Sequence, residues 1–133
     1  MSVKRFGVSF EKELLEALDR YVKDNQFPNR SQAIRQLISK NLVKKKWEDN
    51  NIVAGAITLF YDHHKRDLLN KLTTIQHDYH NMILSAQHFH LSHENCLEIV
   101  AVKGKASILL ELSDKLIAIK GVQHGQLVMS KAD

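Results

Sequence analysis

The residues able to do chemistry lie in the second half of the chain: all eight histidines fall at position 63 or beyond, with the single cysteine, Cys96, among them. His88 and His90 are two apart in a segment, Met82–Leu91, that alternates as a strand does. Both imidazoles then point to one face, roughly 6.6 Å apart along the strand. Two imidazoles so placed can converge on one ion. Cys96 opens the next strand, across a turn made by His93, Glu94 and Asn95, within reach of the same spot. A thiolate beside two imidazoles suits a late first-row divalent ion rather than calcium or magnesium, which take oxygen donors. A polar strand end beside a packed thiol is the plainer alternative.

Other candidates are weaker. His77 and His80 fall near the end of a helix, three apart and so on one face; either could be a fourth ligand or a solvated helix end. Glu98, two after Cys96, shares its strand face and could orient a ligating imidazole, or be a surface carboxylate. His63 and His64, at a strand-to-helix turn, and His124, in the last strand, fit solvation or ordinary hydrogen bonding.

These residues need elements to hold them. Ile52–Tyr61 reads as a strand and Arg66–Tyr79 as a helix with Leu68, Leu69, Leu72 and Ile75 on one face. Met82–Leu91 and Cys96–Lys103 follow as strands. Ser107–Lys120 is a second helix, closed by Gly121 as C-terminal cap, and Val122–Met129 the last strand. The order βαββαβ predicts an α+β, ferredoxin-like domain of the ACT type over 51–133. That plan alone implies no function.

Ahead of it lies a different kind of segment. Residues 1–46 hold 11 Lys/Arg against 5 Asp/Glu, whereas the remainder holds 8 against 10. A basic head on a slightly acidic body points to a polyanion partner for the head. Residues 4–10 alternate, with Phe6, Val8 and Phe10 on one side and Arg5, Gly7 and Ser9 on the other. Leu14, Leu18, Tyr21 and Val22 mark a helix, Asp24–Pro28 a loop, and Ile34, Leu37, Ile38 and Leu42 a second helix ending at Lys44–Lys46. Asn29 is its expected N-cap, with Gln32 placed to return the bond. A polar joint, Lys46–Asn51, connects head and body. About 45 residues make a poor core alone, and a lone strand leaves its backbone unpaired. Two copies pairing their strands solve both problems and present a ribbon to a DNA major groove. The alternative is a basic arm that packs on the body.

The head resembles ribbon-helix-helix repressors, and Asn29-Arg30-Ser31-Gln32-Ala33-Ile34-Arg35 is similar to their second-helix signature. That resemblance places Arg5, Gly7 and Ser9 at base-reading positions and the amides at Asn29 and Arg30 on a phosphate. Gly7 offers no side chain, so one usual base contact is absent. The body resembles the nickel-responsive repressors of the NikR family, through His63-His64-Lys65-Arg66-Asp67-Leu68, Gln76-His77, His88-Phe89-His90 and His93-Glu94-Asn95-Cys96-Leu97-Glu98. The match spans nearly the whole chain. It implies Ni(II) held by His88, His90 and Cys96 of one subunit and His77 of another, in the square-planar arrangement of the family. It also implies a homotetramer, a dimer of dimers, on a palindromic double-stranded operator. Gln32 and Gln36 stand where family members can carry acidic residues for a second cation between head and body, so that site is either lacking here or built from carbonyls and other ligands.

The expected function is therefore nickel-dependent repression, with nickel-uptake genes as targets. The rivals are a ribbon-helix-helix regulator answering to another metal or to a small organic effector, and a toxin-neutralising protein with the body as partner grip. Cys96 with a histidine could form a nucleophile pair, but no glycine-rich oxyanion loop accompanies it, so no enzyme is expected. No apolar run reaches the roughly 18 residues of a membrane span, and the reading is cytoplasmic.

Overall fold

The computed structural model describes residues 2–133. The protein is α+β, and its chain divides into two compact units, Met1–Asn41 and Leu42–Asp133. In the first, α1 (Lys12–Asp24) is joined by a short turn to α2 (Arg30–Glu48), whose residues from Leu42 onward belong to the second. Gln26 takes the left-handed conformation (φ 57°) in that turn, and Phe27 N–H reaches back to the Val22 carbonyl at 2.9 Å. This closes the exposed carbonyls at the end of α1. Asn29 caps α2 by accepting the Gln32 amide at 2.9 Å. The return bond from the Gln32 side chain is not among the hydrogen bonds of the described residues.

The strand expected over 4–10 has no ladder partner within one chain, and Phe6 and Val8 are exposed. Strand hydrogen bonds need a second strand, and neither unit supplies one to this segment. A second difference concerns the joint. Instead of stopping at Lys46, α2 runs to Glu48. Asn50 then adopts a positive φ of 56°, and Asn51 N–H returns to the Lys46 carbonyl at 3.0 Å. Asparagine tolerates this conformation through its short polar side chain. Trp47, expected in a polar joint, is buried, and its indole N–H donates to the Ser130 carbonyl at 2.9 Å. The joint is also structural at its far end: Asn50 Oδ1 and the Asn51 carbonyl accept the Ser107 and Ala106 amides at the start of the last helix.

The second unit has the expected order: β1 (Ile52–Asp62), α3 (Arg66–Asp78), a short 3-10 turn, β2 (Ile83–His90), β3 (Asn95–Lys105), α4 (Ala106–Ile117) and β4 (Val122–Lys131). The four strands form one antiparallel sheet in the order β2-β3-β1-β4. One face carries Ile57, Leu59, Tyr61, Val100 and Val102 against Leu68 and Leu72 of α3 and Leu109, Leu112 and Leu116 of α4. Helix α4 stops three residues before the expected Lys120. Ala118 is its cap, and Gly121 (φ 106°) instead makes the turn into β4. The other sheet face holds Phe60, Leu97 and Ile99, half-buried, and Val128 and Phe89, exposed.

Candidate metal centre

The β2–β3 register builds the site. His88 stands opposite Glu98, and His90 opposite Cys96. Directly opposed residues share a sheet face, so two imidazoles, a thiol and a carboxylate project to the helix-covered side at the free end of the sheet. The backbone does this unaided, because the period of two that separates His88 from His90 also separates Cys96 from Glu98.

The partners of these side chains differ. Cys96 is buried, opposite Tyr61 on its other side. Glu98 is fully buried, which rules out the surface-carboxylate alternative. Its Oε1 accepts the Tyr61 hydroxyl at 2.6 Å, and its Oε2 accepts Gln76 Nε2 at 2.6 Å. Burial and the neighbouring carboxylate push the Tyr61 phenol far above its ordinary range, so it stays a proton donor. His88 Nδ1 lies 3.1 Å from the Tyr61 oxygen and 3.3 Å from Glu98 Oε1. With its proton on Nδ1, His88 donates to this pair and leaves the Nε2 lone pair for an ion.

His77 sits in the last turn of α3, beside Gln76, and the His80 ring bonds its carbonyl at 2.9 Å. Among the described residues of one chain, no three His, Cys, Asp or Glu side chains close into a set able to hold an ion. The His88, His90 and Cys96 donors share a face without converging. Their chemistry, one sulfur and two ring nitrogens, fits a late first-row ion such as nickel.

Two features lay outside the sequence reading. Tyr61, one donor to Glu98, was not expected there, and Gln76, the other, figured only as the neighbour of His77 with no role of its own. Four histidines also gather at the hairpin end: His63 lies 4.2 Å from His64 and 4.9 Å from His90, and His64 lies 5.1 Å from His93, between ring centres. For His63 and His64 the structure shows the ordinary hydrogen bonding that was one of the two expectations. His63 Nε2 bonds the His93 carbonyl at 2.7 Å, and His64 N–H donates to Asp62 at 2.9 Å.

In the head, Arg5, Gly7 and Ser9 lie on the exposed segment before α1, and Asn29 is engaged as the cap of α2. Arg30 is held by Asp19 of α1.

Comparison with known proteins agrees in both units. Residues 54–130 match the model of the NikR C-terminal nickel-binding domain, and residues 4–45 that of ribbon-helix-helix proteins of the CopG family. A nickel-responsive regulator of Syntrophus aciditrophicus is 57% identical over 128 residues, covering 96% of this chain and 93% of the relative. One from Chlorobaculum parvum is 50% identical over 129 residues, covering 97% and 96%. An uncharacterized Thermotoga maritima protein shares the fold, with a TM-score of 0.54 at 18% identity over 59% of this chain and 98% of its own. With matches that run through both units and a donor set suited to the ion, the chain belongs to the NikR family of nickel-responsive regulators, ribbon-helix-helix DNA-binding proteins rather than enzymes.

Proposed function

We infer that this chain represses transcription when nickel occupies a site shared between subunits, with His88, His90 and Cys96 from one and His77 from another. The observation that carries the reading is the buried Glu98 carboxylate facing His88 on one side and Gln76, the neighbour of His77, on the other. A buried carboxylate is costly unless paired, and this one is spent on orienting groups next to proposed ligands. Nickel, when bound, supplies a cross-link between subunits. The chain's residues do the rest: Glu98 and Tyr61 fix the His88 ring, and Gln76 ties the end of α3 to the same carboxylate.

The assembly is supported by two apolar surfaces. The sheet face with Phe60, Phe89, Leu97, Ile99 and Val128 is suited to a second copy of the body. In the head, Phe6, Val8, Leu14, Leu37 and Ile38 are exposed, and a groove of about 470 Å³ lies between residues 3–6 and α2. A second copy pairing its own residues 4–10 would cover these and satisfy the backbone. The resulting ribbon presents Arg5, Gly7 and Ser9 to a palindromic duplex, with the amides at Asn29 and Arg30 on its phosphates. A homotetramer with two such heads is the proposed form, over domains 1–46 and 51–133. Nickel-uptake genes are the proposed targets, since a repressor that responds to nickel then limits its supply. The cell compartment is proposed as cytoplasmic, where the operator lies; no helix of the described residues is long and apolar enough to cross a membrane.

The test is a nickel titration followed by absorbance and by sedimentation. A thiolate-to-nickel charge-transfer band that is lost in Cys96→Ser and in His77→Ala, with the tetramer retained, is the expected result. A band that survives His77→Ala would remove the shared site.

A further inference from the structure

One cation near the start of α2 differs from those beside it. Lys4, Arg5 and Arg35 border the groove beside α2, and among the described residues none of them has a carboxylate partner. Arg30 does. Its Nε–H donates to Asp19 Oδ1 at 2.8 Å and its Nη2–H to Oδ2 at 2.9 Å, a two-bond fork across α1 and α2. The hydrogen bond from Arg30 holds the Asp19 carboxyl below its ordinary range, and the bond to Asp19 raises the guanidinium. Planar, two-point pairing is the strong form of an exposed ion pair. It also stands at the first residue of α2, where Asn29 already occupies the Gln32 amide and the positive helix end favours an approaching anion. A phosphate arriving there meets a side chain whose charge is already balanced.

We propose that Asp19 withholds the Arg30 side chain from DNA phosphates, so that Arg30 clasps α1 to α2 and Asp19 limits the sequence-independent grip of the head. This rests on the DNA-binding reading above and adds a specificity-determining residue to it. Non-specific affinity follows the number of phosphates neutralised, whereas base reading does not. Withholding a cation that reads no base therefore weakens binding to random DNA and leaves Arg5 and Ser9 free to discriminate.

The experiment uses the full-length, nickel-loaded protein and a labelled duplex of random sequence, with anisotropy measured over a series of sodium chloride concentrations. Asp19→Asn keeps the shape of the side chain and frees Arg30. Its plot of log affinity against log salt should steepen by about 0.9 for each Arg30 that gains a phosphate, about eightfold in affinity per tenfold dilution of salt. Asp19→Asn combined with Arg30→Gln, which keeps the backbone amide and removes the freed cation, should lose the added steepening. Glu16→Gln, one turn earlier on α1, removes the same charge without freeing Arg30 and should change nothing. Equal slopes in Asp19→Asn and the unsubstituted protein overturn the proposal. So does a shallower slope in Arg30→Gln, which would place Arg30 on a phosphate already, or equal steepening in Glu16→Gln. Binding by no variant at any salt concentration instead rejects the DNA-binding reading beneath it. Circular dichroism of each variant separates a folding defect from these outcomes, and Arg30→Gln tests the idea even if Asp19→Asn misfolds.

Discussion

His88 and Glu98 face each other across the β2–β3 ladder, 3.3 Å apart from Nδ1 to Oε1, with the histidine half-exposed and the carboxylate fully buried. The pair joins a proposed metal ligand to the interior of the domain. Tyr61 and Gln76 complete the carboxylate's hydrogen bonding, and no buried side-chain polar atom of the described residues lacks a partner.

Glu98→Gln should therefore weaken nickel binding by roughly 10–100-fold, the usual cost of losing the group that orients a ligating imidazole. The fold should persist, because glutamine keeps the shape. Competition against a chelator measures the affinity, and an unchanged value would separate Glu98 from the site.

Tyr61→Phe deletes one donor to a buried carboxylate. A loss of about 1–3 kcal/mol in unfolding free energy is expected, read from urea denaturation at neutral pH. If stability is unaltered, the Tyr61–Glu98 bond contributes nothing net.

Trp47→Ala should cost about 3–5 kcal/mol, since it empties a buried aromatic site at the end of α2. Trp47→Phe should lose less, chiefly the bond to the Ser130 carbonyl. Thermal melts compare the two; equal small losses would mean the indole is not a packing anchor.

Gly55→Ala places a Cβ 2.6 Å from the Val128 carbonyl oxygen, inside the β1–β4 ladder. The strands must separate there, and a destabilisation of about 1–3 kcal/mol follows from overpacking. Amide exchange in β4 should speed up in the variant; unchanged protection would refute the expectation.

Acid titration gives a prediction of sign. The His64 backbone N–H bond holds the Asp62 carboxyl below its ordinary range. Its stabilising contribution is complete above the unfolded value of about 3.9 and is lost as pH falls through the lower folded value. Asp62→Asn should flatten the pH dependence of stability in that acidic window and leave it unaltered above pH of about 6. Identical acid profiles would show that Asp62 carries no linkage.

What could be read before any coordinates were properties of short stretches. The spacing of His88 and His90, the place of Cys96, the basic head and the order βαββαβ all follow from periodicity and charge, which neighbouring residues determine among themselves. The joint at Lys46–Asn51 differs for the same reason: five of its six residues are polar, and the sixth, Trp47, finds its place under β4, more than 80 positions away. Glu98 looked equally suited to surface or site until register set it between Tyr61 and Gln76. Arg30 entered only through its backbone amide, and its side-chain partner appears once the turn after α1 brings Asp19 against it. Such pairings depend on which elements come to lie opposite one another, and only the packed chain decides that.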